Sequence, residues 1–114
     1  MQTASADIET AANLLKLLGD KTRLGIMKVV SEQECCVCEF VELFQMTQPA
    51  VSQHLRKLKD AGLVRETRRG QWIFYSLNSD HPQFGFVRSI IERIPNQTYK
   101  LDELAAQAKR ICCD

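Results

Sequence analysis

The stretch covering residues 47–77 constrains the fold of this chain more than any other part of its sequence. Thr47 is a favourable helix N-cap, and Pro49 is tolerated in a first helical turn because its missing N–H would have no partner there. Three apolar residues recur at helical spacing and form one stripe: Val51, Leu55 and Leu58. Gly62 stands where a left-handed residue ends a helix. The sequence therefore predicts a helix over residues 48–60 that buries one face.

Two β-prone runs follow this helix, at residues 63–67 and 71–77, and Arg68, Arg69 and Gly70 join them. This pattern predicts a β-hairpin with a basic tip. The helix face opposite the apolar stripe is polar, with these residues on it or beside it: Pro49, Gln53, Arg56, Asp60, Ser52 and Lys57. A polar helix face followed by a basic hairpin is typical of a protein that reads the DNA major groove and places a wing beside it. An ordinary amphipathic helix beside an ordinary hairpin is the alternative.

The positive charge of the chain is concentrated in this same segment. The formal net charge is only +1 over 114 residues. Residues 48–77, however, carry six basic and two acidic side chains, whereas residues 1–47 carry four basic and seven acidic ones. Phosphate contacts need positive charge where the protein meets nucleic acid, and an ordinary solvated surface does not need this segregation. The distribution favours double-stranded DNA as a partner.

The remainder of the chain is predicted to be helical, within a single domain that spans residues 1–114. Apolar residues at helical spacing predict further helices over residues 8–18, 21–31, 39–44, 84–94 and, starting at 96 or 98, up to 112. We therefore expect a mainly α fold with a β-hairpin wing, in which residues 36–60 form a helix-turn-helix and residues 63–77 form the wing. The terminal helices, at residues 8–18 and 82–113, have more apolar surface than this core needs, so we expect them to form a homodimer. A well-covered winged monomer is the alternative.

Composition excludes other classes of protein. The sequence has no apolar run of about 18 residues that would span a membrane, and residues 1–10 are polar and acidic, unlike a signal peptide. We therefore expect a cytoplasmic protein without a membrane partner, whose five cysteines serve metal or redox chemistry rather than a disulfide framework. A thiol enzyme would need an anion cradle beside its nucleophile, but Glu34 and Glu39 flank the first cysteines and repel oxyanions. We do not expect an enzyme.

The chain resembles the ArsR/SmtB family of winged-helix repressors over about residues 8–95. The matching motifs are LLGDKTRL at residues 17–24, CVCE at 36–39, QPAVSQHL at 48–55, LKDAGLV at 58–64 and RGQW at 69–72. The resemblance implies a homodimer that binds an inverted-repeat operator while it is free of inducer, and releases it when a metal, metalloid or oxidant binds. The arsenic- and cadmium-sensing branch is the most similar, because it carries Cys-Val-Cys followed by an acidic residue at this position.

The polar helix face and the hairpin supply the expected DNA contacts. Ser52 and Gln53 should face base edges, and the basic residues that follow should face phosphate or, at the wing tip, the minor groove. The complete set of expected DNA-binding residues is Thr47, Gln48, Ser52, Gln53, Arg56, Lys57, Arg68 and Arg69. DNA binding itself is expected to need no cofactor.

Cys36 and Cys38 are the candidate inducer ligands. If residues 35–38 are extended, the two side chains project to one side. Cys38 would also lie near the N-terminus of the next helix, where the helix dipole favours a thiolate. Thiolates are soft donors that select soft ions. The alternative is that each cysteine is a small buried apolar residue.

Three further cysteines are candidates for a third ligand: Cys35, Cys112 and Cys113. Arsenic-sensing relatives often carry a third cysteine three residues after the second, where this chain has Val41. Cadmium-sensing relatives add cysteines from an N-terminal arm, and residues 1–34 contain none here. We therefore expect trivalent arsenic or antimony as the inducer ahead of cadmium or lead. A thiol redox or polysulfide response is a further alternative.

A second metal site of the family, in which Asp, His and Glu after the wing bind zinc, is not expected here. Asp80 and His81 are adjacent rather than spaced by one residue, and Glu92 has no second histidine beside it. We interpret His81 as a turn residue and His54 as a half-buried packing residue.

Overall fold

The computed structural model describes residues 7–95 of the chain. In chain order it contains α1 (Ile8–Leu18), α2 (Lys21–Glu32), β1 (Cys35–Cys36), α3 (Val37–Phe44), α4 (Gln48–Asp60), β2 (Val64–Arg69), β3 (Trp72–Leu77) and α5 (Phe84–Ile91). This architecture confirms the predicted mainly α fold with a β-hairpin. The last predicted helix, from 96 or 98 to 112, lies outside the described residues. In the described part of the chain, no helix has the length and apolar character needed to cross a bilayer.

Side-chain caps begin two of these helices at the predicted residues. Asp20 Oδ2 accepts a hydrogen bond from the backbone N–H of Arg23 at 3.0 Å, and Thr47 Oγ1 accepts one from Ala50 at 3.3 Å. Each bond satisfies an N–H that the first helical turn leaves without a partner. Gly62 follows α4 with a φ of 78°, which confirms that a left-handed glycine ends this helix.

The buried core joins α2, α3 and α4. Its residues on these helices include Ile26, Met27, Val29, Val30, Phe40, Val51, Leu55 and Leu58. The predicted apolar stripe of α4 is therefore confirmed. Gly25 lets α2 and α3 approach closely, because a Cβ at this position would lie 2.7 Å from Cε1 of Phe44.

The first helix has two apolar faces rather than one. The sequence predicted a single face formed by Ile8, Ala11, Ala12, Leu15 and Leu18. In the structure Leu14 and Leu18, four residues apart, are buried in the core, whereas Ile8 is 88% exposed and Leu15 is 52% exposed. Because 3.6 residues make one turn, Ile8 and Leu15, which are seven residues apart, share a face of α1 that differs from the face of Leu14 and Leu18. One apolar face of α1 thus lies on the surface of the chain.

The three strands form one antiparallel sheet in the order β1-β3-β2. The hairpin boundary predicted from the sequence was wrong, because β2 continues to Arg69, which pairs with Trp72. The connection therefore contains only Gly70 and Gln71, and Gly70 has a φ of 65°. A two-residue turn that begins with a left-handed glycine matches the twist of the strands, so Arg68 and Arg69 belong to the strand and not to the loop.

The last described helix is shorter than the predicted 84–94, because α5 ends at Ile91. Pro95 disfavours a helical backbone at the residue before it, and residues 92–94 form turns instead. Lys28 of α2 packs beneath this end, and its Nζ donates a hydrogen bond to the carbonyl of Ile91 at 3.3 Å. The bond fixes the end of α5 against the core.

Replacing Asp20 with alanine should lower the free energy of unfolding by about 1 kcal/mol, since the N–H of Arg23 loses its acceptor. That N–H bond holds the pKa of Asp20 below its ordinary value in the folded protein. The contribution is therefore present at neutral pH and is lost as the pH falls through the lowered pKa. Urea denaturation of both proteins over a range of pH measures the effect. Asp20→Asn should retain most of the stability at neutral pH, and a loss from Asp20→Ala that is independent of pH would contradict this account.

Candidate nucleic-acid interface and thiol site

The outer face of α4 is polar and open to solvent. Gln53, Arg56 and Lys57 are exposed, and Ser52 is half-buried. These side chains line a shallow groove together with Pro49 and Asp60. The face lies opposite the buried stripe of the same helix, so packing of α4 on the core presents its hydrogen-bonding groups outward. This is the arrangement that a helix needs to enter a DNA major groove.

Thr47 and Gln48 lie at the start of α4, and both are exposed. The connection from α3 is short, because α3 ends at Phe44 and Gln45 adopts a left-handed conformation with a φ of 53°. Only residues 45–47 therefore separate α3 from α4. The pair has the form of a helix-turn-helix.

Ion pairs neutralise three of the six basic side chains in residues 48–77. They are Lys59 with Glu66, Arg65 with Asp80 and Arg69 with Glu34. The other three basic residues, Arg56, Lys57 and Arg68, have no carboxylate oxygen within ion-pair distance in residues 7–95. The positive charge available to an anionic partner is thus concentrated on α4 and on β2 next to the turn.

Arg69 faces the body of the protein. Its guanidinium donates to both carboxylate oxygens of Glu34, at 2.7 and 3.0 Å, and lies 4.9 Å from the centre of the Phe74 ring. Bidentate pairing and stacking on an aromatic ring both favour a fixed arginine. Arg69 therefore connects β2 to the residue that precedes β1.

A second network links the end of α4 to the hairpin. Lys59 Nζ donates to Glu66 Oε1 at 2.9 Å, and the hydroxyl of Tyr75 donates to Glu66 Oε2 at 2.7 Å. The hydrogen bonds from Lys59 and then Tyr75 hold the pKa of Glu66 below its ordinary value. Burial, followed by the bond to Glu66, raises the pKa of Tyr75. Sequence reasoning missed this network, because only the strand register reveals that Glu66 and Tyr75 are opposite each other.

The two candidate thiols occupy different environments. Residues 35–38 do not meet the condition for both thiols to project to one side, an extended backbone throughout, because β1 ends at Cys36 and α3 begins at Val37. Cys36 is the N-cap of α3, and its backbone N–H donates to Glu39 Oε1 at 3.0 Å. This bond starts the helix two residues earlier than predicted. Cys36 is consequently buried, with 2% of its surface exposed, whereas Cys38 lies in the first turn of α3 and is exposed.

The described residues do not by themselves complete a metal site. Within residues 7–95, no group of three or more His, Cys, Asp or Glu side chains is placed to hold a metal ion. Cys35 is fully buried and lies opposite Tyr75 in the sheet, so alternation along the strand turns it away from Cys36. The remaining candidates, Cys112 and Cys113, lie outside the described residues.

Both histidines make structural contacts. Nδ1 of His81 accepts the N–H of Gln83 at 2.9 Å, so Nε2 carries the proton and donates it to the carbonyl of Ala61 at 3.0 Å. His81 thus closes the turn after the wing, as the sequence indicated. His54 is half-buried, with Nδ1 at 3.2 Å from Nη1 of Arg23, which agrees with a packing role.

Comparisons with known proteins identify the family. Residues 20–66 match the model described as "Bacterial regulatory protein, arsR family". The arsenical resistance operon repressor of Bacillus subtilis is 35% identical over 80 residues, which are 69% of this chain and 76% of that protein. The chain belongs to the arsR family. Its members are transcriptional regulators and not enzymes, as the sequence predicted.

A further relative and two solved structures are similar to this chain in sequence and in fold. The arsenic resistance transcriptional regulator ArsR1 of Pseudomonas putida is 37% identical over 79 residues, which are 68% of this chain and 62% of that protein. This arsR-family chain thus spans about three-fifths of that relative. Reduced HlyU from Vibrio cholerae has a TM-score of 0.63 at 34% identity, with coverage of 72% and 81% of the two chains. The transcriptional repressor BigR from Xylella fastidiosa has a TM-score of 0.63 at 30% identity, and the match covers 76% of this chain and 88% of BigR. These matches confirm the winged helix-turn-helix fold.

The difference in burial predicts a difference in reactivity between the thiols. Brief treatment of the native protein with iodoacetamide should alkylate Cys38 and leave Cys35 and Cys36 unmodified, whereas treatment in denaturant should alkylate all three. Peptide mass spectrometry with fragment-ion assignment locates each adduct. Cys38→Ser should abolish the rapid modification of this peptide. Equal rates at Cys36 and Cys38 in the native protein would contradict the burial described above.

Proposed function

We propose that this chain is a repressor that binds operator DNA as a homodimer and releases it when trivalent arsenic or antimony binds its thiols. The observation that most supports DNA binding is the exposed face of α4, where Arg56 and Lys57 lie without carboxylate partners among the described residues. Arg68 extends the same unpaired charge onto the wing. Relatives named for arsenical resistance support the proposed inducer.

In the proposed complex, α4 lies in the major groove. Ser52 and Gln53 contact base edges, while Arg56 and Lys57 contact phosphate. Thr47 and Gln48, at the exposed start of the helix, lie beside the DNA backbone. Among the wing arginines, Arg68 is the stronger candidate for a phosphate or minor-groove contact, because Glu34 already neutralises the charge of Arg69.

The proposed homodimer places two copies of α4 in successive turns of the major groove. The exposed apolar face of α1, with Ile8 and Leu15, supports an interface at the terminal helices. A closed twofold dimer would cover this face in both copies with the same residues. The sequence prediction assigned residues 8–18 and 82–113 to this interface.

The proposed inducer site begins with Cys36 and Cys38. Of these two thiols only Cys38 is accessible, so joint binding through both thiolates requires Cys36 to leave its buried N-cap position. That movement disturbs the first turn of α3, which precedes α4 by three residues. It also disturbs β1, which pairs with β3 of the wing. Both DNA-contacting elements are thereby connected to the thiols, and Cys112 or Cys113 would supply the third thiolate.

Cadmium is a second candidate inducer, because a cadmium resistance regulatory protein CadC homologue of Staphylococcus aureus is also a relative, with 34% identity over 83 residues. Soft thiolate ligands bind both kinds of ion. Separate titrations of the protein–DNA complex with arsenite, antimonite, cadmium and polysulfide distinguish the metalloid, metal and redox responses.

Arg68→Ala and Arg69→Ala form a matched pair for the DNA interface. Arg68→Ala should weaken binding to DNA from the region upstream of the encoding gene and reduce the slope of log K against log salt by about one. Arg69→Ala should reduce this slope less, because its guanidinium is already paired with Glu34. Fluorescence anisotropy over a range of salt concentrations measures both slopes. Equal slopes for wild type and Arg68→Ala would contradict a wing contact with phosphate.

The thiol assignment is tested with the double variant Cys36→Ser, Cys38→Ser. It should bind the upstream DNA with the affinity of wild type but fail to dissociate when arsenite is added, since serine oxygen does not replace a thiolate for a soft ion. The matched control is Cys112→Ser, Cys113→Ser. Because this variant loses only the proposed third thiolate, it should still dissociate from DNA, but at a higher arsenite concentration than wild type. Dissociation of the first variant at the arsenite concentration of wild type would contradict the assignment.

A further inference from the structure

A set of hydrogen bonds through one carboxylate links α4 to both strands of the wing. Lys59 belongs to the last turn of α4, Glu66 to β2 and Tyr75 to β3. The carboxylate of Glu66 accepts from Lys59 through one oxygen, at 2.9 Å, and from Tyr75 through the other, at 2.7 Å. Each end of the set therefore depends on a different oxygen of the same side chain.

Strand pairing and burial hold the hairpin end of this set in place. Glu66 and Tyr75 are directly opposite each other in the antiparallel pair, and Tyr75 is buried, with 7% of its surface exposed. A phenol held by the core in this way fixes the direction of the carboxylate that it donates to. The carboxylate in turn fixes the ammonium of Lys59, which is on a different element.

We infer that Glu66 and Tyr75 are positioning residues, which set the angle between α4 and the wing and thereby the specificity for operator DNA. This inference rests on the proposed DNA binding. Lys59 then contributes its hydrogen bond to Glu66 and not a contact with DNA phosphate. If α4 and the wing enter adjacent grooves of the DNA together, binding is tightest when their relative orientation is already fixed in the free protein.

If the charge of Glu66 were its only effect on DNA binding, removing it would have the opposite effect on affinity from losing a positioning residue. Glu66 lines a polar cavity between α4 and the wing, together with Ser52, Arg56 and Asp60. The negative charge of Glu66 repels DNA phosphate, so its removal would strengthen binding if charge were its only role. A positioning role requires that removal weakens binding to the operator, and the two roles therefore differ in sign.

Glu66→Gln is the informative substitution, because it keeps the shape of the side chain but replaces one of the two accepting oxygens with an NH₂ group, so that either Lys59 or Tyr75 faces an N–H instead of an acceptor. We expect this variant to bind the upstream DNA about fivefold more weakly than wild type, despite the loss of a negative charge. Its affinity for a scrambled duplex of equal length should not fall by the same factor. The ratio of the two affinities should therefore decrease, and this ratio does not change when part of the protein is merely unfolded.

Asp60→Asn is the matched control. Asp60 is an exposed carboxylate on α4 without a hydrogen-bond partner in the described part of the chain. Its removal takes away the same charge without touching the network, so it should strengthen binding to both duplexes. Tyr75→Phe removes only a hydroxyl and should lower the ratio of affinities without any change in charge.

Lys59→Gln tests the role of the ammonium. It should weaken binding to the upstream DNA and leave the salt slope at its wild-type value, whereas Arg56→Ala should reduce the slope by about one. Anisotropy titrations of wild type and all variants with both duplexes supply these quantities, and the thermal midpoint of each variant monitors folding.

Two results would overturn the inference while leaving the proposed function intact. One is tighter binding of Glu66→Gln to both duplexes, as for Asp60→Asn, and the other is an unchanged affinity ratio for Glu66→Gln and Tyr75→Phe. If wild type binds the upstream and scrambled duplexes equally, the proposed function itself fails, and the inference fails with it.

Discussion

Burial of one face of α4 is the constraint on which the candidate DNA interface depends. Val51, Leu55 and Leu58 are almost fully removed from solvent, and each buried side chain of this size stabilises the fold by about 1.5–3 kcal/mol. Rotating the helix about its axis would expose this stripe, so the rotation is fixed by packing. The opposite face, with Gln53 and Arg56, must then point outward. The hydrophobic core therefore determines which polar groups α4 offers to a partner.

The order of strands places Cys35 and Cys36 next to the wing as well as before α3 and α4. β1 pairs with β3, and Cys36 lies opposite Phe74 in that register. The ion pair between Glu34 and Arg69 joins the same two regions from the other side. A change at the end of β1 therefore has two contiguous physical routes to the elements that would contact DNA, one through α3 and one through the sheet. Packed and hydrogen-bonded connections of this kind are what would carry a coupling between the thiols and the proposed DNA interface.

Ion pairs confine the available positive charge to a smaller surface than the sequence suggests. Residues 48–77 have an excess of positive charge, but Lys59 is paired with Glu66 inside this segment, and Arg65 and Arg69 are paired with Asp80 and Glu34 outside it. These surface pairs contribute little to stability individually. Their larger effect is geometric, because they hold the wing against α4 and β1 and leave only part of the cationic surface open to a polyanion.

The sequence by itself determined the features that arise within a few residues. Caps at Asp20 and Thr47, the stripe of α4 and the glycine that ends this helix depend on local backbone geometry and helical period, so the structure agrees with all of them. Only the tertiary structure decided where β1 ends, because its pairing with β3 stops at Cys36, and the local bond from Cys36 to Glu39 then begins α3. It also decided the partners of Arg69 and Glu66, since contacts across 35 and 9 residues depend on strand register. Register is set by the packing of the whole domain, and a local pattern does not contain it.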